Sequence, residues 1–148
     1  MRALELRRHA PRDPEADRLS KDGQALALHI GKNLPGGYVA LFTSPANRAA
    51  ETAAYFMRAL GQQLPQVHGV SEELASEDPE RLAAGVRKIL AEIPEGGRGL
   101  AVGHTPLIEW AVQALTGEEI TPLRECEGVV LEQEGDRIEL AGEYRRES

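Results

Sequence analysis

Arg8, His9, Arg48 and His104 are the residues of this chain whose types and settings suit chemistry. Arg8-His9 follows the short stretch Leu4-Glu5-Leu6. Arg48 closes Ser44-Pro45-Ala46-Asn47-Arg48, and His104 lies in Gly103-His104-Thr105-Pro106. Each segment comes just after an expected β-strand and leads towards a helix. In an open parallel α/β sheet the loops leaving the carboxyl ends of the strands gather at one edge, and ligands bind there. Two arginines and two histidines meeting at such an edge would hold a phosphoryl group. The planar fork of arginine binds phosphate oxygens bidentately and keeps its proton, and helix N-termini add N–H donors and a favourable dipole. A histidine with one bare ring nitrogen attacks phosphorus, and flanking arginines would lower the pKa of His9 and keep it neutral near pH 7. The expected reaction has two steps. His9 attacks in line and becomes phosphohistidine; water then attacks that intermediate and releases phosphate. The scheme calls for no metal and no cofactor. A metal hydrolase would instead need a His-Glu-x-x-His pair or a Cys/His cluster at ligand spacing, and the chain has neither.

The elements that must position these residues follow from pattern and punctuation. Ala3 to Arg7 reads as a first strand, with Leu4 and Leu6 on one face. Ala3, Glu5 and Arg7 lie on the other, which is therefore expected to be only partly covered. After a polar loop from Ala10 to Leu19, Ser20 reads as an N-cap. The helix behind it carries Leu26, Ile30 and Leu34 on one stripe, and Pro35-Gly36-Gly37 ends it. Tyr38 to Phe42 suits a buried parallel strand. Ser44-Pro45 reads as a cap followed by proline at the first helical position, with Ala49, Ala53, Phe56, Met57 and Leu60 facing inward and Gly61 closing the helix. Gln66 to Val70 is a short strand. Asp78-Pro79 repeats the cap-plus-proline start, and Leu82, Val86, Ile89, Leu90 and Ile93 form its stripe before Gly96-Gly97. Gly99 to Val102 is a further strand. Thr105-Pro106 is read as a third such helix start, leading into Leu107, Ile108, Ala111, Val112 and Leu115. Gly128 to Gln133 and Arg137 to Ala141 flank the turn Glu134-Gly135-Asp136 as a hairpin, and the tail Glu143 to Ser148 is expected to fray. The fold class is thus α/β: a three-layer α/β/α sandwich with a mostly parallel central sheet.

Bulk properties narrow the reading. At 148 residues the chain is expected to be one domain, 1–148, with one core. Its 41% hydrophobic and 28% charged residues argue against disorder, and only 4% aromatics make the core aliphatic. A formal net charge of -7 disfavours nucleic acid and anionic membrane surfaces as partners. No apolar run is long enough to span a membrane, and the polar start from Met1 to His9 is unlike a signal peptide, so a cytoplasmic protein is expected. The lone Cys126 has no disulfide or Cys-x-x-Cys partner and reads as a small buried residue.

Leu6-Arg7-Arg8-His9-Ala10, the run from Ser44 to Ala53, and Val102-Gly103-His104-Thr105-Pro106 resemble the three signature segments of the histidine phosphatase (phosphoglycerate mutase-like) superfamily. Leu19-Ser20-Lys21-Asp22-Gly23 resembles its Leu-Thr-x-x-Gly helix start. The resemblance implies a phosphoglycerate mutase-like fold, with His9 as the phosphorylated nucleophile and Arg8, Arg48 and His104 completing the phosphate pocket. The short length and the Arg-His-Ala start point, within that superfamily, to SixA-type protein phosphohistidine phosphatases. Ala10 stands where glycine is more common. Arg7 stands where an apolar residue is usual, which implies a less buried first strand. Glu73 sits near where larger members carry the acid that protonates the leaving group; Glu72, Glu77 and Asp78 are rivals for that role.

The stretch from Gly61 to Ser76 leaves no room for a sizeable lid. An open pocket suits a phosphate displayed on a protein, and an imidazole leaving group needs less help from an acid than an alkoxide does. The expected activity is therefore that of a protein phosphohistidine phosphatase. A phosphatase of small phosphomonoesters (sugar or nucleotide-loop phosphates) is the alternative within enzymes, and a non-catalytic phosphate-recognition module the alternative outside them. His29 and His68 read as surface residues, and Ser44 is accounted for by capping.

Overall fold

Six strands form one sheet in the order β3-β2-β4-β1-β5-β6 in the computed structural model, which describes residues 1–147. The elements run β1 (Arg2–Arg8), α1 (Lys21–Gly31), β2 (Ala40–Thr43), α2 (Asn47–Leu60), β3 (Val67–Val70), a 3₁₀ turn (Glu72–Ala75), α3 (Pro79–Glu92), β4 (Arg98–Gly103), α4 (Leu107–Thr116), β5 (Gly128–Glu134) and β6 (Arg137–Tyr144). The pairings β2–β3, β2–β4 and β1–β4 are parallel; β1–β5 and β5–β6 are antiparallel. The sheet is mostly parallel, as the alternation of strands and helices implied.

The two faces carry different cores. Leu4 and Leu6 of β1, Ala40 and Phe42 of β2, and Val129 and Leu131 of β5 pack under α3 and α4, against Leu82, Val86, Ile89, Leu90, Ile108 and Val112. Leu41 of β2 and Leu100 and Val102 of β4 face the other way, under α1 and α2, against Ala27, Ala49, Ala53, Phe56 and Met57. This is the expected three-layer sandwich. Its helices form on local signals. The Ser20 hydroxyl accepts from Gly23 N–H at 3.0 Å to cap α1. The Asp78 carboxylate accepts from Glu80 N–H at 3.0 Å to cap α3. Gly61 (φ 68°) and Gly117 (φ 77°) end α2 and α4 in the left-handed conformation that glycine adopts without a Cβ clash. Among the described residues no helix is long and apolar enough to cross a membrane.

Several expectations are corrected. The face of Ala3, Glu5 and Arg7, expected to be only partly covered, is half-buried at Ala3 and closed beyond it: Glu5 is 0% and Arg7 5% exposed. Arg7 Nε donates to Glu5 Oε2 at 2.7 Å, Arg98 Nη2 to Glu5 Oε1 at 2.7 Å, and Tyr38 Oη to Glu5 Oε1 at 3.0 Å. A paired carboxylate is thus buried in a strand where an apolar residue is the usual solution. The arginine at position 7 is its partner, so β1 is no less buried for having it. Helix α2 begins at Asn47 and α4 at Leu107, with Ala46 and Pro106 as N-caps, so neither Pro45 nor Pro106 is the first helical residue. The hydroxyls read as caps serve other partners: that of Ser44 meets His104 while accepting from Ala46 N–H at 3.3 Å, ahead of the first turn, and that of Thr105 donates to Glu109. The tail is also not frayed through its described part. Glu143 and Tyr144 belong to β6. Arg145 donates to Thr121 O at 2.9 Å and Pro122 O at 3.1 Å, and Arg146 N–H donates to Glu127 Oε2 at 2.6 Å. Ser148 lies outside the described residues.

Candidate active site

Because β1, β2, β3 and β4 are parallel, their carboxyl ends open onto one edge. The next residues along the chain are His9, Ser44, Ser71 and His104. Backbone bonds stitch these exits together: His9 N–H to Gly103 O at 3.0 Å, Ser44 N–H to Val102 O at 3.1 Å, and Ser71 N–H to Thr43 O at 2.8 Å. Thr52, fully buried on α2, accepts from Ala10 N–H at 3.0 Å and donates to Arg48 O at 2.8 Å, which ties the residue after His9 to the helix that carries Arg48.

The structure brings three of the four residues singled out at the start, His9, Arg48 and His104, into contact, with Arg8 next to His9 at the end of β1. The rings of His9 and His104 lie 5.3 Å apart, edge to face at 63°. Arg48, in the first turn of α2, reaches both: its Nε donates to His9 Nε2 at 3.3 Å, and its Nη2 lies 3.4 Å from His104 Nδ1. Its Nη1 pairs with Asp17 at 2.9 Å. Arg8 extends from the end of β1, with Nη1 donating to Leu123 O at 2.8 Å, while its Nε–H is buried without a protein partner.

Arginine only donates, so its neighbours fix where the ring protons sit. His9 Nδ1 lies 2.7 Å from Ala10 O and must carry the hydrogen, which leaves Nε2 bare and facing Arg48. His104 Nδ1 faces Arg48 and is bare, so its Nε2–H donates to Ser44 Oγ at 2.6 Å. Both rings are held neutral. Burial is the main cause for His9 and depresses its pKa; the charges of Arg48 and Arg8 add to this, against the bond to Ala10 O. The arginines therefore act in the direction read from the sequence but are not the largest cause. Burial, then the Arg48 charge, pushes His104 down to about 4. A buried, neutral imidazole whose unprotonated Nε2 accepts only a long 3.3 Å bond from the Arg48 guanidinium is equipped, once that bond gives way to substrate, to attack an electrophilic phosphorus while the arginine holds its oxygens.

Glu73 sits in the 3₁₀ turn after β3, with its carboxylate turned to Ser71 Oγ at 3.3 Å and Lys88 Nζ at 3.6 Å. Its own backbone N–H, then Lys88 and Ser71, outweigh desolvation and hold the carboxyl below the usual range, so it is ionised at neutral pH. Asp78 is occupied as the cap of α3, Glu77 lies beside Pro79 and Trp110, and Glu72 is exposed. His29 and His68 are exposed, as expected of surface histidines. Cys126 is fully buried and its thiol is pushed up to about 12 by burial, which makes it inert.

Sequence reasoning missed two participants. Ser44 was assigned to capping, yet its hydroxyl meets His104. Asp17 gave no signal, because its partner Arg48 is 31 residues away and on another element.

No protein-family model and no curated protein matches the chain. Solved structures do match over nearly its whole length. A SixA protein histidine phosphatase complexed with tungstate superposes with a TM-score of 0.76 at 21% identity, over 97% of this chain and 96% of that one. YhfR of Bacillus stearothermophilus gives 0.82 at 18% identity, over 99% and 98%. A mycobacterial glucosyl-3-phosphoglycerate phosphatase complexed with VO3 gives 0.78 at 16% identity, over 99% and 100%. The fold implied by the signature segments is the fold observed.

Proposed function

We propose that this chain is a histidine phosphatase of the phosphoglycerate mutase-like superfamily, working through a phosphohistidine at His9. The observation that carries the reading is the arrangement around Arg48: one guanidinium meets the bare Nε2 of His9 and the bare Nδ1 of His104. A substrate phosphorus would be attacked in line by Nε2. Arg8 and Arg48 would hold its equatorial oxygens, with His104 beside them. As the P–Nε2 bond forms, the bond to the leaving group breaks, and the leaving group takes up a proton from solvent water. Water then attacks phosphorus on the face opposite Nε2, the P–Nε2 bond breaks, and phosphate departs. The water gives its proton back to solvent, so the two steps balance with side chains and solvent water, and they call for no metal or cofactor.

The substrate we propose is a protein phosphohistidine in the cytoplasm. Glu73 is ionised and turned towards Lys88, which suits an imidazole leaving group better than an alkoxide. A second reading, a phosphatase of small phosphomonoesters, draws on the likeness to the mycobacterial glucosyl-3-phosphoglycerate phosphatase; in that reading Glu73 would have to move to act as acid. Turnover of a phosphohistidine-bearing protein is compared with turnover of a panel of sugar and nucleoside phosphates, with and without chelator. Faster release from phosphohistidine, unaffected by chelator, is expected. A small ester turned over much faster would establish the second reading. Phosphate release undiminished in His9→Ala would remove His9 as the nucleophile, and binding of phosphate with no release above background by wild type would leave only a phosphate-recognition module.

A further inference from the structure

Helix α2 has no cap of its own, since Ala46 at its N-cap makes no side-chain bond to the first turn. The carboxylate of Asp17, in the loop between β1 and α1, takes that place. Its Oδ2 accepts from Asn47 N–H at 2.8 Å and its Oδ1 from Arg48 N–H at 3.2 Å. The backbone carbonyl of Asp17 accepts from Asn47 Nδ2 at 2.9 Å. The same Oδ1 also accepts from Arg48 Nη1 at 2.9 Å. Burial of the carboxylate works against its charge, but the bonds from Arg48 and Asn47 outweigh it and keep Asp17 ionised. One carboxylate therefore anchors both the backbone start of α2 and one corner of the Arg48 guanidinium. Because that group is planar and rigid, pinning one corner aims the Nε and Nη2 donors at the two imidazoles.

The consequence is a proton assignment. His104 Nε2 lies 2.6 Å from the Ser44 hydroxyl, and a hydroxyl can accept or donate. The Nη2–H of Arg48 against Nδ1 decides between the two arrangements, keeping Nδ1 bare and the proton on Nε2. Without Arg48 in place, Ser44 is free to donate to Nε2 and His104 to carry its proton on Nδ1. We infer that Asp17 is a positioning residue that acts through Arg48: it fixes the tautomer of His104 and sets the guanidinium for an oxyanion. The effect on turnover rests on the phosphatase reading; the effect on the tautomer does not.

Asparagine caps helices about as well as aspartate, so Asp17→Asn keeps one acceptor oxygen for the start of α2 while removing the charge and the second oxygen that hold Arg48. Long-range ¹H–¹⁵N imidazole spectra at pH 7 report the tautomer directly. Wild type is expected to show His104 as a single Nε2–H form, and Asp17→Asn a mixture, with a thermal midpoint within a few degrees of wild type. Turnover of p-nitrophenyl phosphate is expected to fall about 10- to 100-fold in kcat/KM, the scale of a misaligned reacting group. Asp17→Ala should reproduce both effects and add a lower midpoint. An unchanged His104 spectrum in Asp17→Asn overturns the inference, whatever the activity does. A changed spectrum in a protein whose wild type turns over no phosphate compound leaves the inference standing and removes the phosphatase reading.

Discussion

Replacing Arg48 by lysine separates charge from geometry. The guanidinium makes three side-chain contacts, to His9 Nε2, His104 Nδ1 and Asp17 Oδ1, at 3.3, 3.4 and 2.9 Å. A lysine keeps the positive charge but offers one ammonium group, which reaches one of these positions and cannot span both imidazoles. If the fork donates to the equatorial oxygens in the transition state, losing one fixed donor costs about 10²- to 10³-fold in kcat, or about 2.7–4 kcal/mol. The fold should hardly notice. Asp17 and Arg48 are 43% and 23% exposed, and an ion pair so placed contributes less than about 1 kcal/mol, or a few degrees in Tm at this chain length. The assay is kcat and KM on p-nitrophenyl phosphate and on a phosphohistidine-bearing protein, with a thermal melt of each variant. A value of kcat within about threefold of wild type would refute the reasoning. So would a loss of activity matched by collapse of the melt, which would make Arg48 a structural residue.

Protonation of His9 removes its lone pair, so kcat/KM should fall on the acid side through a pKa below the ordinary 6.5 of histidine; a limb at or above that value contradicts the burial argument. His104 couples the site to stability. Its folded-state value of about 4 lies below the unfolded 6.5, so the unfolded chain binds the extra proton between them. The contribution is therefore complete above pH 6.5 and lost as pH falls towards 4, amounting to about 2 kcal/mol after allowing for solvent screening. Urea midpoints at pH 7 and pH 5 should differ less in His104→Gln than in wild type, and equal differences would reject this. Glu5→Ala leaves Arg7 and Arg98 without the carboxylate they share, and should cost about 3–5 kcal/mol by urea unfolding; a cost below about 1 kcal/mol would mean that water or Tyr144 compensates. Gly23→Ala would put a Cβ 1.9 Å from the carbonyl oxygen of Pro11. It should lower the melting midpoint and loosen the loop that carries Asp17, and an unchanged midpoint would show that this loop yields freely.

The signals that were legible in the sequence were local ones. Breakers and apolar stripes located every strand and α-helix to within a few residues, because helix caps and buried faces are written in neighbouring positions. The stripe of α1 was misplaced: its buried face is Gly23, Ala27 and Gly31, with Leu26 and Ile30 only half-buried beside it and Leu34 buried beyond its end. Those small residues let the helix pack closely and carry little hydrophobic signal. The four site residues were legible because each lies at or shortly after the carboxyl end of a strand, and parallel strands carry such residues to one edge. What escaped depends on partners far along the chain. Glu5 looked misplaced until Arg98 and Tyr38 arrived beside it from two other elements. Ser44 and Thr105 carry hydroxyls that suit capping equally well, and only packing decides that His104 and Glu109 claim them. Arg145 and Arg146 sit in a stretch of charge that reads as tail, and they are ordered by loop carbonyls and by Glu127.

The account stands on the bare Nε2 of His9 as the atom that takes the phosphoryl group. Rapid quench of the wild-type protein with ³²P-labelled phosphohistidine protein, followed by alkaline digestion and peptide mapping, measures this directly. The account predicts an acid-labile, base-stable label on His9, bonded through Nε2, that forms and decays within a turnover and is absent from His9→Ala. Turnover with no labelled protein at any time, or a label on a different residue, would contradict it.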